Sequence, residues 1–339
     1  METLKDSELC FPQLLNASCI RTKRPHHEAL LTYVLVVSIS LLTTFLNLLV
    51  IVSISHFKQL HTSTNLLLLS LAVSDFFVGL LLSFQLVLIG GCWFLGDLMC
   101  SLYQYLDYVI SSVSVGNMVL ISIDRYLAVC HPLLYATKVT PHRVHMCVCL
   151  CWICSVIFQT LVLMDVLSQP GRFNSCAGEC VFVINHIAGV ADVIFSFVAP
   201  ITVIIVLYIK VFVVAVTQAR ALRSHMAAVS VQHSVRVTAL RSELKAARTL
   251  GVVIAVFLMC LCPYYCVALT GQDNLINTSS AALCLYSFNS CLNPVIYAFF
   301  YPWFRKSIKD ILTLTILQPN SCERNMSWKN TKHESGDKK

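Results

Sequence analysis

The chain has 339 residues, of which 57% are hydrophobic and 12% are charged, and its mean hydropathy is +0.74. This composition excludes an ordinary soluble domain and is typical of a membrane protein. The formal net charge of +7 fits a basic cytoplasmic face, and it does not indicate a nucleic-acid partner.

Seven windows almost free of charge recur along the chain, and each can cross about 30 Å of hydrocarbon as a helix. They cover residues 30–55, 63–91, 98–123, 146–164, 181–209, 250–271 and 276–304. No Lys or Arg lies inside them, and the acidic residues inside them are Asp75, Asp107 and Asp192. We therefore predict an all-α membrane protein, a seven-transmembrane helix bundle with a short amphipathic eighth helix, in contact with membrane lipid.

Four regions follow from these windows. They are an extracellular tail (1–28), the bundle (29–304), the amphipathic helix (305–317) and a polar cytoplasmic tail (318–339) expected to be disordered. Lys and Arg are retained on the cytoplasmic side, and the inner loops hold eleven of them whereas the outer loops hold only Arg172. The N-terminus is therefore predicted outside the cell in a multi-pass plasma-membrane protein, and Asn16 in Asn16-Ala17-Ser18 is a predicted glycosylation acceptor.

Six of the 17 cysteines fall on the predicted outer side, where disulfides persist. They are Cys10, Cys19, Cys92, Cys100, Cys176 and Cys180. Their spacing alone does not pair them. Most of the other cysteines lie within the windows and are interpreted as small apolar side chains.

Short motifs occur in order, one or more in each window. They are Asn47 in FLNLLVIVSI, LAVSD ending at Asp75, SIDRYLAVCHPL, Trp152, Pro200 with Tyr208, Phe257 with Pro263, and NSCLNPVIY. This set resembles that of rhodopsin-like G-protein-coupled receptors. Within that family, NSCLNPVIYAFFYPWF (289–304), HPLLYATKVT and SELKAARTLG resemble trace amine-associated receptors. The resemblance implies a receptor for small amines that activates a heterotrimeric G protein of the stimulatory type.

A carboxylate at membrane depth costs roughly 2.5 to 3.5 kcal/mol on insertion scales, so Asp107 is expected to face the bundle interior. Asp107 and Arg125 are 18 residues apart, which places them on one helix face about 27 Å apart. A structural salt bridge is the alternative role for Asp107, but the windows contain no Lys or Arg to form it. By resemblance, Asp107 stands where amine receptors carry the carboxylate that binds a ligand ammonium.

Asp192 lies eight residues before Pro200 in the fifth window. It is an exposed acid if the helix begins later than the window, and a second pocket anion if it faces inward. Packed helices lie about 8 to 10 Å apart, so two inward carboxylates can bind both ends of a short aliphatic diamine. This pair resembles diamine-sensing olfactory receptors of fish, which implies a sensory-neuron membrane; a monoamine receptor is the alternative. Tyr264, Tyr265, Tyr286 and Ser287 complete the predicted ligand site.

The resemblance assigns two further sets of residues. The first is a polar network, with a sodium ion at Asp75 as the one expected metal and no other cofactor: Asp75, Ser114, Asn289 and Asn293. The second is the switch that faces the G protein: Asp124, Arg125, Tyr126, Tyr208, Glu243 and Tyr297. We expect Arg125 to pair with Asp124 and Glu243 near water, where such a pair contributes about 0 to 1 kcal/mol.

The resemblance also implies two disulfides, Cys100–Cys180 and Cys19–Cys176, with Cys10 as the alternative partner of Cys176. A cation transporter or channel is the competing class of function, but the inverted repeats common in transporters are not evident in the sequence. An enzyme is not expected, because no nucleophile–base or metal-ligand spacing occurs.

Overall fold

The computed structural model describes residues 8–14, 16–21, 26–226, 251–252, 255–263, 265, 276–324 and 326. Five helical segments in these ranges are long and apolar enough to cross a membrane. Four of them are single helices: α1 (His26–His56), α2 (Ser63–Ile89), α3 (Asp97–Cys130) and α5 (Pro141–Val162). The fifth, within His186–Thr217, consists of three helical segments.

The fifth span contains a π-helical turn next to a proline. Its parts are α7 (His186–Val193), the π turn Ile194–Val198 and α8 (Ala199–Met226). Pro200 has no backbone N–H, and its ring would clash with the carbonyl four residues earlier in a regular helix. The wider turn accommodates this defect, and such turns occur frequently at functional sites.

The rest of the described chain completes the bundle. Residues 251–252 and 255–263 are helical and belong to the sixth window, and α9 (Ile276–Phe300) forms the seventh span. Helix α4 (Pro132–Lys138) lies in an inner loop, α6 (Met164–Ser168) follows α5, and α10 (Pro302–Leu312) follows α9. Three 3₁₀ turns cover Lys58–Leu60, Thr315–Leu317 and Ser321–Glu323.

Several helix ends differ from the predicted windows, because apolarity marks membrane depth and not helix length. Helix α3 continues to Cys130, seven residues past its window, and α7 begins at His186, where the Asn185 side chain accepts a hydrogen bond from the Ile187 backbone N–H. The amphipathic helix begins at Pro302 instead of residue 305 and ends at Leu312 instead of residue 317. Proline is favoured in the first turn of a helix because its missing N–H is not needed there.

The chain after α10 folds back onto the bundle over residues 313–324 and 326, which we call the C-terminal strap. His56 Nε2 and Ser321 Oγ are 2.9 Å apart, and Arg324 forms an ion pair with Asp310 at 2.9 Å. Met326 is buried in a cluster with Phe57, Leu60 and Trp303. The sequence predicts a disordered tail from residue 318, but residues 318–324 are ordered. The contacts of Ser321, Arg324 and Met326 hold the strap against the bundle.

Buried and exposed positions are distributed as expected for a protein surrounded by lipid. Asn47, Asp75 and Asn293 are buried, whereas large apolar side chains on the outer faces of α1, α5 and α8 are exposed. Helix α3 packs against α2, α5 and α8 and occupies a central position. The main apolar core includes Leu68, Met118, Phe257 and Tyr297.

Three disulfides join the extracellular segments of the described chain. Cys100–Cys180 and Cys19–Cys176 are the two predicted pairs, and the third is Cys10–Cys92. Cys10, the alternative partner of Cys176, thus has a partner of its own. The Cys10 backbone N–H donates to the Cys19 carbonyl at 2.9 Å, so the turn between them sets the two cysteines side by side.

Candidate functional site

A cavity of about 670 Å³ opens between α3, α5 and the fifth span. The residues that line it include both acids singled out in the sequence, Asp107 from α3 and Asp192 from α7. Ile184 and Asn185, just before α7, form part of its wall. Two carboxylates from different helices therefore line one cavity.

Asp107 has no hydrogen-bond or ion-pair partner among the described residues, although it lies partly buried at membrane depth. One turn further along α3, Ser111 Oγ accepts a hydrogen bond from the Tyr286 hydroxyl. Tyr108 and Tyr286 line the same cavity. An unpaired carboxylate in an apolar setting favours binding a cation.

Asp192 is buried, with 7% of its surface exposed, so it is not an exposed acid at a helix end. Its Oδ1 atom accepts hydrogen bonds from Gln159 Nε2 at 2.9 Å and from Ser196 Oγ at 2.8 Å. Gln159 Nε2 also donates to Ser196 Oγ at 3.2 Å. The second oxygen, Oδ2, makes no hydrogen bond within the described part of the chain.

The remaining predicted ligand residues divide by position. Tyr265 and Tyr286 line the cavity, and the Tyr265 ring stacks on Phe197 with a centroid distance of 4.0 Å. Ser287 is buried but does not line the cavity. This differs from its predicted role, because consecutive helix residues point about 100° apart and Tyr286 takes the inward direction. Tyr264 lies outside the described residues.

Comparison with known proteins places this arrangement in a family. The model of the seven-transmembrane receptors of the rhodopsin family matches residues 46–297. Trace amine-associated receptor 13c of Danio rerio is 35% identical over 335 residues, covering 94% of this chain and 96% of that protein. Trace amine-associated receptor 8a of Rattus norvegicus is 37% identical over 330 residues, with coverages of 93% and 95%. Trace amine-associated receptor 4 of Mus musculus is 33% identical over 329 residues, with coverages of 93% and 94%.

The chain belongs to the trace amine-associated receptors. It is a seven-transmembrane G-protein-coupled receptor and not an enzyme. The cavity therefore lies in a receptor bundle.

The polar network of this trace amine-associated receptor centres on Asp75. Asn293 Nδ2 donates to Asp75 Oδ2 at 2.8 Å, whereas Asp75 Oδ1 has no partner in the described residues. Asn289 is also buried, and its Oδ1 atom has no hydrogen-bond partner among the described residues. Ser114 donates to Ser74 Oγ at 2.9 Å and not to Asp75. Two unpaired oxygens thus remain among the predicted network residues, and oxygen atoms are the donors that hard cations prefer.

The receptor's switch residues form a buried cluster at the inner end of α3. Arg125 Nε donates to Asp124 Oδ2 at 3.0 Å, and Arg125 also contacts Thr64. Thr64 Oγ1 and the Tyr135 hydroxyl each donate to Asp124 at 3.0 Å. Asp124 and Arg125 are only 4% and 7% exposed, so the expectation of a pair near water is wrong. Helix α4 supplies Tyr135 and helps to close the site.

Tyr135 lies in the inner loop, where burial and the nearby Asp124 carboxylate raise the pKa of its hydroxyl. The hydroxyl therefore stays protonated at neutral pH and remains a donor. Tyr126 instead meets His131, with its hydroxyl 3.2 Å from Nε2. Tyr297 is buried within the main core, and Tyr208 packs at the edge of that core. Glu243 lies outside the described residues.

Four residues near the receptor's two sites were missed in the sequence: Thr64, Tyr135, Gln159 and Ser196. Thr64, Gln159 and Ser196 lie within predicted spans, where polar side chains are expected to face the interior. That signal marks them as inward-facing, but only the packing of neighbouring helices shows which acid each one meets.

Proposed function

We propose that this receptor responds to short aliphatic diamines, with one ammonium bound to Asp107 and the other to Asp192. The observation that carries the proposal is that both carboxylates line one cavity. Each has an oxygen without a partner among the described residues. A charge-assisted hydrogen bond from an ammonium to each would satisfy both, and two positive charges would relieve the repulsion between the acids.

Chain length should govern the response. The acids stand on different helices, and packed helices lie about 8 to 10 Å apart, so we expect an optimum at about four to six carbons. Shorter diamines do not reach both acids, and longer ones must fold. Tyr265 and Tyr286 also line the cavity, and a ring face turned towards a bound ammonium group would add a cation–π contact.

Diamine binding would shift the population towards an arrangement in which the inner end of the sixth span moves outward and a stimulatory G protein binds. The energy comes from the difference in ligand affinity between the two states. A sodium ion held by Asp75 and Asn289 fits the two oxygens left unpaired there. Family resemblance supports an odorant receptor in the plasma membrane of sensory neurons.

The test is a panel of monoamines and diamines of increasing length, applied to cells that express the receptor with cyclic AMP as the readout. Asp107→Asn should abolish responses to all amines, because the ammonium then loses its carboxylate. Asp192→Asn should weaken diamines selectively. Asp97→Asn is the matched control: its Oδ1 accepts a hydrogen bond from Asn174 on the outer face, and it does not line the cavity.

Two results would contradict the proposal. An intact diamine response and length optimum in Asp192→Asn would leave a monoamine receptor with a single anionic contact. An amine-evoked current in cells without functional G protein would instead favour a cation channel.

A further inference from the structure

The environment of Asp192 contains two donors aimed at the same oxygen. Gln159 Nε2 comes from α5 and Ser196 Oγ from the π turn, and both donate to Oδ1. Gln159 is 1% exposed and Ser196 is 6% exposed, so both hydrogen bonds are largely shielded from bulk solvent, although both residues line the cavity. The carboxylate is thus held from two helical segments and left with one oxygen, Oδ2, for another donor.

The Gln159 amide has only one favourable orientation. Its Oε1 atom is buried and has no hydrogen-bond partner among the described residues. Rotating the amide by half a turn would set Oε1 against the carboxylate, with one acceptor facing another. The charge on Asp192 therefore fixes the amide, and the amide in turn restrains the carboxylate.

We propose that Gln159 and Ser196 are positioning residues that set the receptor's selectivity for diamine length. This inference rests on the proposed diamine function. By restraining Oδ1, they fix the location of Oδ2 and hence the separation between the two anionic ends of the cavity. A carboxylate without these two donors rotates more freely, so it accepts an ammonium over a wider range of positions and discriminates length less sharply.

The experiment measures concentration–response curves for diamines of increasing length and for one monoamine, at matched surface expression. Gln159→Met keeps the approximate volume and removes the donor. We expect diamine potency at the optimum to fall about tenfold, as for loss of one hydrogen bond to a charged group, and the length profile to broaden. The monoamine response should change by less than about threefold. Thr160→Val is the matched control, because Thr160 is the next residue on α5 and its Oγ1 faces Tyr105 instead.

The hydroxyl of Ser196 allows a second, independent measurement. Ser196→Ala should broaden the length profile, and Ser196→Thr, which keeps the hydroxyl, should restore it. In an Asp192→Asn background, Gln159→Met should cause no additional loss of diamine potency, because the group that it positions is absent. If Gln159→Met does not reach the cell surface, the Ser196 pair decides the question.

The outcomes separate the two proposals. If Asp192→Asn keeps full diamine potency, the proposed function fails and this inference fails with it. If Asp192→Asn loses potency but Gln159→Met and Ser196→Ala keep both potency and length optimum, only the positioning role is overturned. An equal loss for monoamine and diamine would show a general packing defect and would likewise overturn it.

Discussion

Removing the disulfide between Cys10 and Cys92 should loosen the extracellular tail by a calculable amount. The two cysteines are 82 residues apart in sequence. With the other two disulfides closed, however, a shorter covalent path joins them through residues 10–19, 176–180 and 92–100. That path contains about 24 residues, so loop-closure entropy gives about 3.4 kcal/mol instead of the roughly 4.5 kcal/mol for the full sequence separation.

The variant Cys10→Ser with Cys92→Ser avoids leaving a free thiol. A loss of about 3.4 kcal/mol corresponds to a roughly 300-fold increase in the open population of the tail. Hydrogen exchange reports this opening at the amides that join the tail to the outer loops. The Cys19 N–H donates to the Ala177 carbonyl at 2.9 Å, and the Ala177 N–H donates to the Ala17 carbonyl at 2.7 Å.

We expect the Cys19 and Ala177 amides to exchange faster in this double variant than in the wild type, by a factor of up to about 300. Cys322→Ser is the control, since Cys322 is a free cysteine in the C-terminal strap. If the two amides exchange at the same rate in the double variant and in the control, the disulfide does not hold the tail and the loop argument is refuted.

Three further outcomes are expected. Glu243→Gln should raise basal signalling at matched surface expression if Glu243 is the resting ionic partner that we expect for Arg125; an unchanged or lower baseline would count against that role. Tyr135→Phe removes a donor from a buried carboxylate and should lower the unfolding free energy by about 1 to 3 kcal/mol, measured by thermal denaturation; an unchanged melting temperature would contradict this. Met326→Asp should release the C-terminal strap to protease, whereas Leu317→Asp, at a side chain 77% exposed, should not; equal cleavage of both variants would exclude a specific docking of Met326.

The sequence predicts the spans well because lipid demands apolar side chains over a fixed thickness, and that demand is local. Contacts between residues that are far apart in the sequence cannot be predicted in this way. The sequence shows that Asp192 is an unusual acid, but its contact with Gln159 depends on how α5 and the fifth span pack. Likewise, the spacing of the cysteines does not predict the disulfide between Cys10 and Cys92.

The burial of the switch residues could not be predicted from the sequence either. The pair of Asp124 and Arg125 sits near the end of a predicted window, which suggests access to water. Thr64 on α2 and Tyr135 in the inner loop cover the pair and donate hydrogen bonds to Asp124. Tyr135 lies on α4, a short helix that the apolar windows do not predict.

The C-terminal strap determines where the chain leaves the receptor. The Met326 backbone N–H donates to Gln59 Oε1 at 3.0 Å, so the polypeptide departs beside the first inner loop and not from the end of α10. A cytosolic protein that docked against the strap near Met326 would therefore lie beneath α1 and α2. It would compete for space with whatever occupies that side of the inner face, and detaching the strap would move its point of attachment to α10.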